Sequence, residues 1–572
     1  EDFQKMLWEK KKFVTETFYV ITVGNIPETF YPEIAENEAQ WEEWEKILAI
    51  DNLPQDLFSG NWRTPEGRMA FLKAHPSLPL DTRHFPPDFT DRLLASFDDL
   101  DEMTDGLLIH SENWQALNLL QEKYRERVKC IYIDPPYNTG NDEFFYRDSY
   151  QHSCWLSMMA DRLVLAREWM RKDGLFFASI DENEAHNLRH VCDLVFGPSN
   201  LESTVTWRRR HNQPNDPTKM IAKVAEYVIV YANNSAHLKS IRSFYGIPLT
   251  EARRGQYKNP DNDPRGPWES KPWKAGKGQS GTRYKIVSPT GKVFEEEWLG
   301  SEETFKEYLS QGIIYFPKGG HGLPRKKYYL SERQKGQSPH NFWSHDDYGS
   351  NQEASSELEN LFGEANMYSN PKPSRLISRI ARMSTIGSDT VLDYFAGSGT
   401  TGHAVINLNR EDGGRRKFIL VEMADYFDTV LLPRLKKVTF SPEWKDGKPK
   451  RVATAEEAKR GPRIIKVIRL ESYEDALNNL SFDESAGQIA LQFEDYLLKY
   501  MLRWETRKSE TLLNVEKLSK PFDYCLHIYR DGETRVQKVD LPETFNYLIG
   551  LDVAKRQVLD DNGRCYLVYR GT

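Results

Sequence analysis

Along the chain the apolar positions change rhythm several times, and each change predicts a different kind of element. Up to about residue 105 they recur at helical spacing among many acids, as in NEAQWEEWEKILAI, so 1–105 is expected to be a mainly helical, acidic region. The Pro-rich HPSLPLDTRHFPPDF breaks that pattern before a short helix, DRLLASFDDL. From residue 106 onward short all-apolar runs appear: LLIH (107–110), VKCIYI (128–133), LFFASI (175–180) and EYVIVYAN (226–233). Runs this short without polar alternation predict strands buried on both faces. Amphipathic stretches separate them, ENWQALNLLQEKY and WLSMMADRLVLAREWMRK. In the second, Leu156, Met159, Leu163, Ala166 and Met170 share one face, and the helix is expected to end at Asp173-Gly174. Strand–helix alternation of this kind predicts an α/β fold with a mostly parallel sheet.

The regularity stops after residue 233. Residues 234–365 are rich in Gly, Pro, Lys, Arg and aromatics, as in NPDNDPRGPWESKPWKAGKGQSGTRYKIV, and read as an inserted domain of short strands and loops. Alternation resumes with PKPSRLISRIARM, the strand TVLDYF (390–395), a Gly-rich turn, the helix TGHAVINLNR and the strand KFILVE (417–422). One sheet, 106–233 and 366–445, is thus expected to be interrupted by the insertion. Residues 446–572 read as a separate α+β domain, with a helix LQFEDYLLKYMLRWETRK and a hairpin YCLHIYRDGETRVQKVDL turning at Arg-Asp-Gly.

Composition narrows the class. The length implies several domains, and 39% hydrophobic with 12% aromatic residues is enough for packed interiors. No apolar run approaches the ~20 residues of a membrane helix. The start, EDFQKMLWEKKKF, has no signal-peptide core and no initiator Met, and the chain stops after a strand-like run at LVYRGT; both ends are expected to be cut short. Five cysteines without a C-x-x-C argue for neither a disulfide framework nor a zinc site, so no metal is expected and a reducing cytoplasm fits. The net charge of −8 is unevenly spread: 22 Asp+Glu against 10 Lys+Arg over 1–105, but 16 Lys+Arg against 6 Asp+Glu over 203–290. A basic middle in an acidic chain is as consistent with a solvated face as with a segment that meets a polyanion.

Two motifs carry chemistry. Asp134-Pro135-Pro136-Tyr137 directly follows the strand IYI, where an open parallel sheet binds its ligands. The prolines stiffen the turn, so a carboxylate, the Pro135 carbonyl and an aromatic face are held together. Two fixed acceptors can hold both hydrogens of an exocyclic amine and favour the positive charge that builds as its nitrogen attacks a methyl group. Tyr137 offers a face on which an extruded base can stack. The second motif, Asp393-Tyr394-Phe395-Ala396-Gly397-Ser398-Gly399-Thr400-Thr401-Gly402, lies between a strand and a helix, and Glu422 ends the next strand, placed to accept from ribose hydroxyls. Alone, Gly397, Gly399 and Gly402 also fit a nicotinamide or flavin site, or an ordinary tight turn. Together the motifs describe an amino-methyltransferase, which needs both a nucleoside-cofactor loop and acceptors for an amine.

With both motifs in place the chain resembles the DNA amino-methyltransferases of the β arrangement, where the catalytic motif precedes the cofactor motif and a target-recognition domain lies between them. DPPYNTG, the following helix and DGLFFASIDENE are most similar to the modification (Mod) subunits of type III restriction systems. The resemblance implies a Rossmann-like methyltransferase fold in circularly permuted order, with S-adenosylmethionine as cofactor and double-stranded DNA as substrate. It implies that Asp134, Pro135, Pro136 and Tyr137 bind and activate a flipped base. Asp393, Phe395, Ala396, Gly397, Ser398, Gly399 and Thr400 would form the cofactor cleft, Glu422 would hold the ribose, and Lys372, in Pro371-Lys372-Pro373, falls in an additional cofactor motif. Many relatives have Gly-Asp-Asn where this chain has Ser111-Glu112-Asn113; Glu112 is the position expected at the cofactor adenine. Asp as the first catalytic residue resembles adenine-N6 enzymes, whereas Ser is more typical of cytosine-N4 enzymes.

The insertion is then the expected sequence reader. Its Arg253, Arg254, Lys271, Lys274, Lys277 and Arg283, with Trp268, Trp273 and Tyr284 interleaved, are candidate DNA contacts, as are Arg208, Arg209 and Arg210. The resemblance also implies a homodimer. No G-x-x-x-x-G-K-[ST] occurs, so cleavage in a restriction system would require a separate ATP-using subunit. The alternatives are a cytosine-N4 enzyme, a methyltransferase for RNA or protein amides (which commonly has Asn in place of Asp134), and a catalytically silent DNA-binding subunit.

Overall fold

The run Val128–Ile133 is buried at every position, as a strand covered on both faces must be, and it lies near the middle of an eleven-stranded sheet. A computed structural model describes residue 9 and residues 11–53, 62–140, 148–212, 220–247, 254–333, 338–479, 524–530 and 532–572. Across the sheet the strands run in the order Phe342–Trp343, Leu201–Arg208, Ala225–Ala232, Met170–Ile180, Val128–Ile133, Thr390–Asp393, Lys417–Glu422, Thr104–His110, Ile464–Leu470, Val14–Thr22 and Pro79–Asp81. The six from Met170–Ile180 to Ile464–Leu470 are mutually parallel. Ala225–Ala232 and Val14–Thr22 run antiparallel to their neighbours within this set. The two motif-bearing strands, Val128–Ile133 and Thr390–Asp393, are adjacent, although more than 250 residues separate them in sequence.

The helix His152–Trp169 buries Trp155, Met159, Leu163, Ala166 and Trp169, a stripe at helical spacing, against the sheet core. It ends four residues before the expected Asp173-Gly174, and Met170 begins the next strand. The strand takes over because Met170 pairs with Val128 and the ladder then slips, so that Leu175 pairs with Cys130. Gly174 lies in that irregularity, where a Cβ would come within 2.9 Å of the Arg171 carbonyl oxygen.

The chain divides into two units, Glu1–Phe244 with Asn341–Thr572, and Tyr245–His340. Four expected boundaries, at 105, 234, 365 and 445, therefore change. The acidic N-terminal region is not a mainly helical block on its own: Val14–Thr22 joins the large sheet, antiparallel to Ile464–Leu470. That partner lies in the stretch read as a separate C-terminal domain, and it pairs in parallel with Thr104–His110. Its seven buried residues, IIKVIRL, complete the sheet's parallel set. The inserted unit is shorter at both ends than 234–365. Ser235–Ile241 and Asn351–Phe362 are capped helices of the sheet unit, the second running from Ser350 to Gly363 at φ 78° and burying Ala354, Leu358 and Leu361.

The inserted unit holds a three-stranded sheet (Ile314–Tyr315, Arg325–Tyr329, Trp268–Pro272), a hairpin (Thr282–Val287, Val293–Trp298) and the helix Glu302–Ser310. Trp273, Ile286, Trp298, Phe305 and Ile314 form its core. The hairpin Cys525–Arg530 with Glu533–Lys538 is present, while the expected helix at 491–508 lies outside the described residues. Among the described residues no helix is long and apolar enough to cross a membrane.

Candidate active site

Four neighbouring parallel strands end on one side of the sheet, and each delivers residues to one cavity of about 430 Å³. Thr104–His110 leads into Ser111, Glu112 and Asn113; Val128–Ile133 into Asp134 and Pro136; Thr390–Asp393 into Tyr394, Phe395 and Gly397; Lys417–Glu422 into Glu422, Met423 and Ala424. Asp134 and Gly397 therefore face the same space. Its volume falls in the range of small-molecule sites, and its walls mix aromatic, apolar and charged groups.

The Asp-Pro-Pro-Tyr turn is fastened at several points. Trp155 Nε1 donates to the Pro136 carbonyl at 2.8 Å, tying the turn to the long helix. Among the described residues no hydrogen bond is made to the Pro135 carbonyl. Asn138 follows at φ 56°, a left-handed position that Asn tolerates. Its amide N–H donates to Asp148 at 2.7 Å, its side chain donates to Glu184 at 2.6 Å, and it accepts from the Tyr150 N–H at 2.6 Å. Asp148 and Glu184 are buried.

Asp134 is half-buried and engaged through both oxygens. Tyr137 Oη donates to Oδ1 at 2.9 Å, and Lys372 Nζ donates to Oδ2 at 2.8 Å. The Tyr137 hydroxyl also lies 3.0 Å from Glu226 Oε2, and the Lys372 ammonium lies 3.6 Å from the same oxygen. Burial lifts the Asp134 carboxyl above its ordinary range; Lys372 opposes that rise and Glu226 adds to it. Burial, with Asp134 and Glu226 alongside, holds the Tyr137 hydroxyl protonated. Burial pulls the Lys372 ammonium down, but Asp134 and Glu226 together lift it above the usual lysine value. Lys372 is thus joined to the catalytic turn, and it is not among the cavity-lining residues.

The glycine loop is shaped from behind. Gly397 at φ 53° and Gly399 at φ 81° adopt backbone that favours glycine, and a Cβ on Gly397 would lie 2.7 Å from Tyr368 Oη. Arg434, fully buried, donates to Ser398 Oγ at 2.8 Å and Thr400 Oγ1 at 2.9 Å. Ser398 and Thr400 thus face inward, and with Asp393, Ala396 and Gly399 they stand behind the lining residues. Asp393 accepts from the Phe395 N–H at 3.1 Å and Thr401 Oγ1 at 2.5 Å, and burial lifts its carboxyl to about 7 against those bonds. Glu422 accepts from the N–H groups of Gly397, Met423 and Ala424 at 2.9, 2.8 and 3.1 Å. Glu112 caps the helix Asn113–Leu119 through the Gln115 N–H and pairs with Arg162, so its carboxylate also orders the wall.

The expected DNA contacts diverge. Arg209 turns inward, with Nε 3.2 Å from the buried Glu226. Arg208 bonds to the carbonyls of Arg210 and His211, and Arg210 is exposed. In the inserted unit, Lys274 pairs with Glu296 and Arg283 approaches Glu295. Trp268 and Trp273 are buried and Tyr284 is partly so, because the unit is small and uses its large aromatics as core. Arg254 and Lys277 are placed, whereas Arg253 lies outside the described residues. Lys271 stands directly opposite Lys326 across the strand pair, beside the Tyr328 ring, and among the described residues neither forms an ion pair. Lys326, Glu226, Asp148, Glu184 and Arg434 are not singled out by the sequence. Glu226 and Arg434 act through partners 89 and 36 residues away, Glu184 merely ends DGLFFASIDENE, and Asp148 ties down the turn from ten residues downstream of Asn138.

Parallel strands that deliver an acidic Pro-Pro turn and a glycine loop to one cavity define an α/β protein of the nucleoside-cofactor methylase type. A family model described as DNA methylase (N6_N4_Mtase) matches residues 128–430, more than half of the chain, and the chain belongs to that family. It is 35% identical over 366 residues to the type III restriction-modification enzyme StyLTI Mod subunit of Salmonella typhimurium, covering 58% of this chain and 54% of that protein. It is 31% identical over 380 residues to the EcoPI Mod subunit of Escherichia phage P1 (55% and 57%), and 31% identical over 386 residues to the EcoP15I Mod subunit of Escherichia coli (55% and 58%). The matches span little more than half the length of these relatives.

Proposed function

We propose that the chain transfers a methyl group from S-adenosylmethionine to N6 of adenine in double-stranded DNA, with the target base flipped out of the duplex. The observation that carries this reading is the single cavity lined by both Asp134 and Gly397. The residues present fit the cofactor: a nucleoside needs an aromatic wall, close backbone and an acceptor for its hydroxyls, which Phe395, Gly397 and Glu422 offer together. When bound, S-adenosylmethionine supplies an electrophilic methyl group. The chain's own groups do the rest. The Asp134 carboxylate and the Pro135 carbonyl accept the two N–H bonds of the amine, and the carboxylate stabilises the charge that develops on nitrogen. Raised by burial, it is also a better proton acceptor than an ordinary aspartate. Tyr137 offers its ring to the extruded base.

Adenine is favoured over cytosine because Asp, not Ser, opens the catalytic motif. DNA is held in part by the inserted unit, where Lys271 and Lys326, which form no ion pair among the described residues, suit phosphate better than Lys274 and Arg283, which face glutamates. The relatives' names support a modification role in a restriction system. In that setting the chain pairs with a second copy, and cleavage belongs to a separate ATP-using subunit. The test is transfer of label from S-adenosylmethionine to unmethylated duplex DNA, followed by digestion to nucleosides. Label in N6-methyldeoxyadenosine is expected; label in N4-methyldeoxycytidine, or only in RNA or protein, would reject the assignment.

A further inference from the structure

Lys372 stands where the reaction requires the target amine. Its ammonium donates to Asp134 Oδ2 at 2.8 Å and lies 4.9 Å from the centroid of the Tyr137 ring. It presents N–H donors to the carboxylate and positive charge to the ring, which is what an exocyclic amine presents while it is being alkylated. The ammonium has a second seat close by. Glu226 Oε2 is 3.6 Å away and also lies 3.0 Å from the Tyr137 hydroxyl. Glu226 lies on the strand Ala225–Ala232 and is 3% exposed, and Arg209 Nε approaches its other oxygen at 3.2 Å. A carboxylate buried that deeply adds little to stability that a well-packed apolar side chain would not supply.

We infer that Glu226 is a positioning residue that takes over the Lys372 ammonium from Asp134 as the target base enters. The handover frees the Asp134 carboxylate and the Tyr137 ring for the amine. It rests on the amino-methyl transfer proposed above. The movement is short, and Lys372 keeps a carboxylate partner throughout, so no buried charge is left bare. Arg209 Nε lies 3.2 Å from Glu226 Oε1, an attraction that leaves Oε2 on the side of Lys372.

The test uses the full chain, tritiated S-adenosylmethionine and unmethylated bacterial DNA, with kcat and KM measured across pH for wild type, Glu226→Gln and Glu226→Asp. In Glu226→Gln the ammonium stays on Asp134, so kcat/KM for DNA falls about 100-fold. Calorimetric affinity for S-adenosylmethionine is retained, and Glu226→Asp recovers part of the loss. The acid limb of the pH profile adds a readout that a purely structural role would not move. Asp134 faces Lys372 and Tyr137, which favour its ionisation, and Glu226 and Asp393, which oppose it; Glu226 itself faces Arg209, Lys372, Tyr137 and Asp181. Removing the Glu226 charge therefore displaces the limb to lower pH. An unchanged kcat/KM in Glu226→Gln overturns the inference alone, as does a loss without that displacement. A wild-type chain that methylates no base removes the reaction itself, and the handover with it.

Discussion

The cations around the reaction site of the sheet unit and two lysines of the inserted unit, Lys271 and Lys326, are arranged on opposite lines. The inserted unit also buries a partnered cation, Lys327, which pairs with Asp261 and Asp263. At the strand ends Lys372 is paired with Asp134, Arg209 with Glu226 and Arg162 with Glu112, while Arg434 is buried among Ser398, Thr400 and Glu357. Each fixes the position of an oxygen or a loop. In the inserted unit Lys271 and Lys326 face one another across a strand pair, an arrangement that like charges make unfavourable. Buried, partnered charge thus stands where atoms must be held. Lys271, exposed, and Lys326, half-buried with its ammonium 4.0 Å from the Tyr308 ring centroid, form no ion pair among the described residues. They are the cations proposed to meet a polyanion.

The largest effect is expected at the partnered end. Asp134→Ala is expected to lower single-turnover methyl transfer about 1000-fold, roughly 4 kcal/mol, while binding of S-adenosylmethionine measured by calorimetry persists. Next is Gly397→Ala, which demands φ 53° of a residue with a side chain and puts its Cβ 2.7 Å from Tyr368 Oη. Affinity for S-adenosylmethionine should fall about 30-fold, and adding Tyr368→Phe should recover the steric share but not the ~1 kcal/mol of the left-handed backbone.

At the unpartnered end, Lys271→Gln with Lys326→Gln should weaken DNA binding about 10-fold at low salt and reduce the slope of log affinity against log salt by about 2. Filter binding over a salt series reads this directly. Arg283→Gln with Lys285→Gln, near Glu295, should change both quantities less. The smallest effect concerns Asp393, whose carboxyl burial raises to about 7. A folded value above the unfolded one means that its contribution to stability is full below the unfolded pKa and is lost as pH rises through about 7. Asp393→Asn lacks that loss, so its melting temperature relative to wild type should rise by about 3 °C between pH 5 and pH 8, followed by calorimetry.

Much of the site was legible because its signals are local. Asp134–Tyr137 follow an all-apolar run, and Gly397 and Gly399 sit between a strand and a helix, so chain order alone places them at strand ends. What could not be read depends on pairing between distant segments. Glu226 matters because Ala225–Ala232 lies antiparallel beside Met170–Ile180, which brings it to Tyr137 across 89 residues of sequence. Val14–Thr22 carried a strand signal in its β-branched and aromatic residues, but the acidic helical stretches after it dominated the reading, and its partner lies some 450 residues away. The edges of the insertion slipped because the flanking capped helices, SAHLKSI and NQEASSELENLF, are short and largely polar, so the apolar rhythm does not mark them as part of the sheet unit. Of the interleaved tryptophans, which suggested contacts, Trp273 belongs to the core that a unit of this size needs and Trp268 is buried as well.

Whether the acidic turn and the glycine loop serve one reaction centre is decided by a crystal structure with S-adenosylhomocysteine. The ligand is expected in the cavity beside Phe395, Gly397 and Glu422, with its sulfur turned toward Asp134. A ligand seated in a cleft that Asp134 does not line would contradict a shared centre.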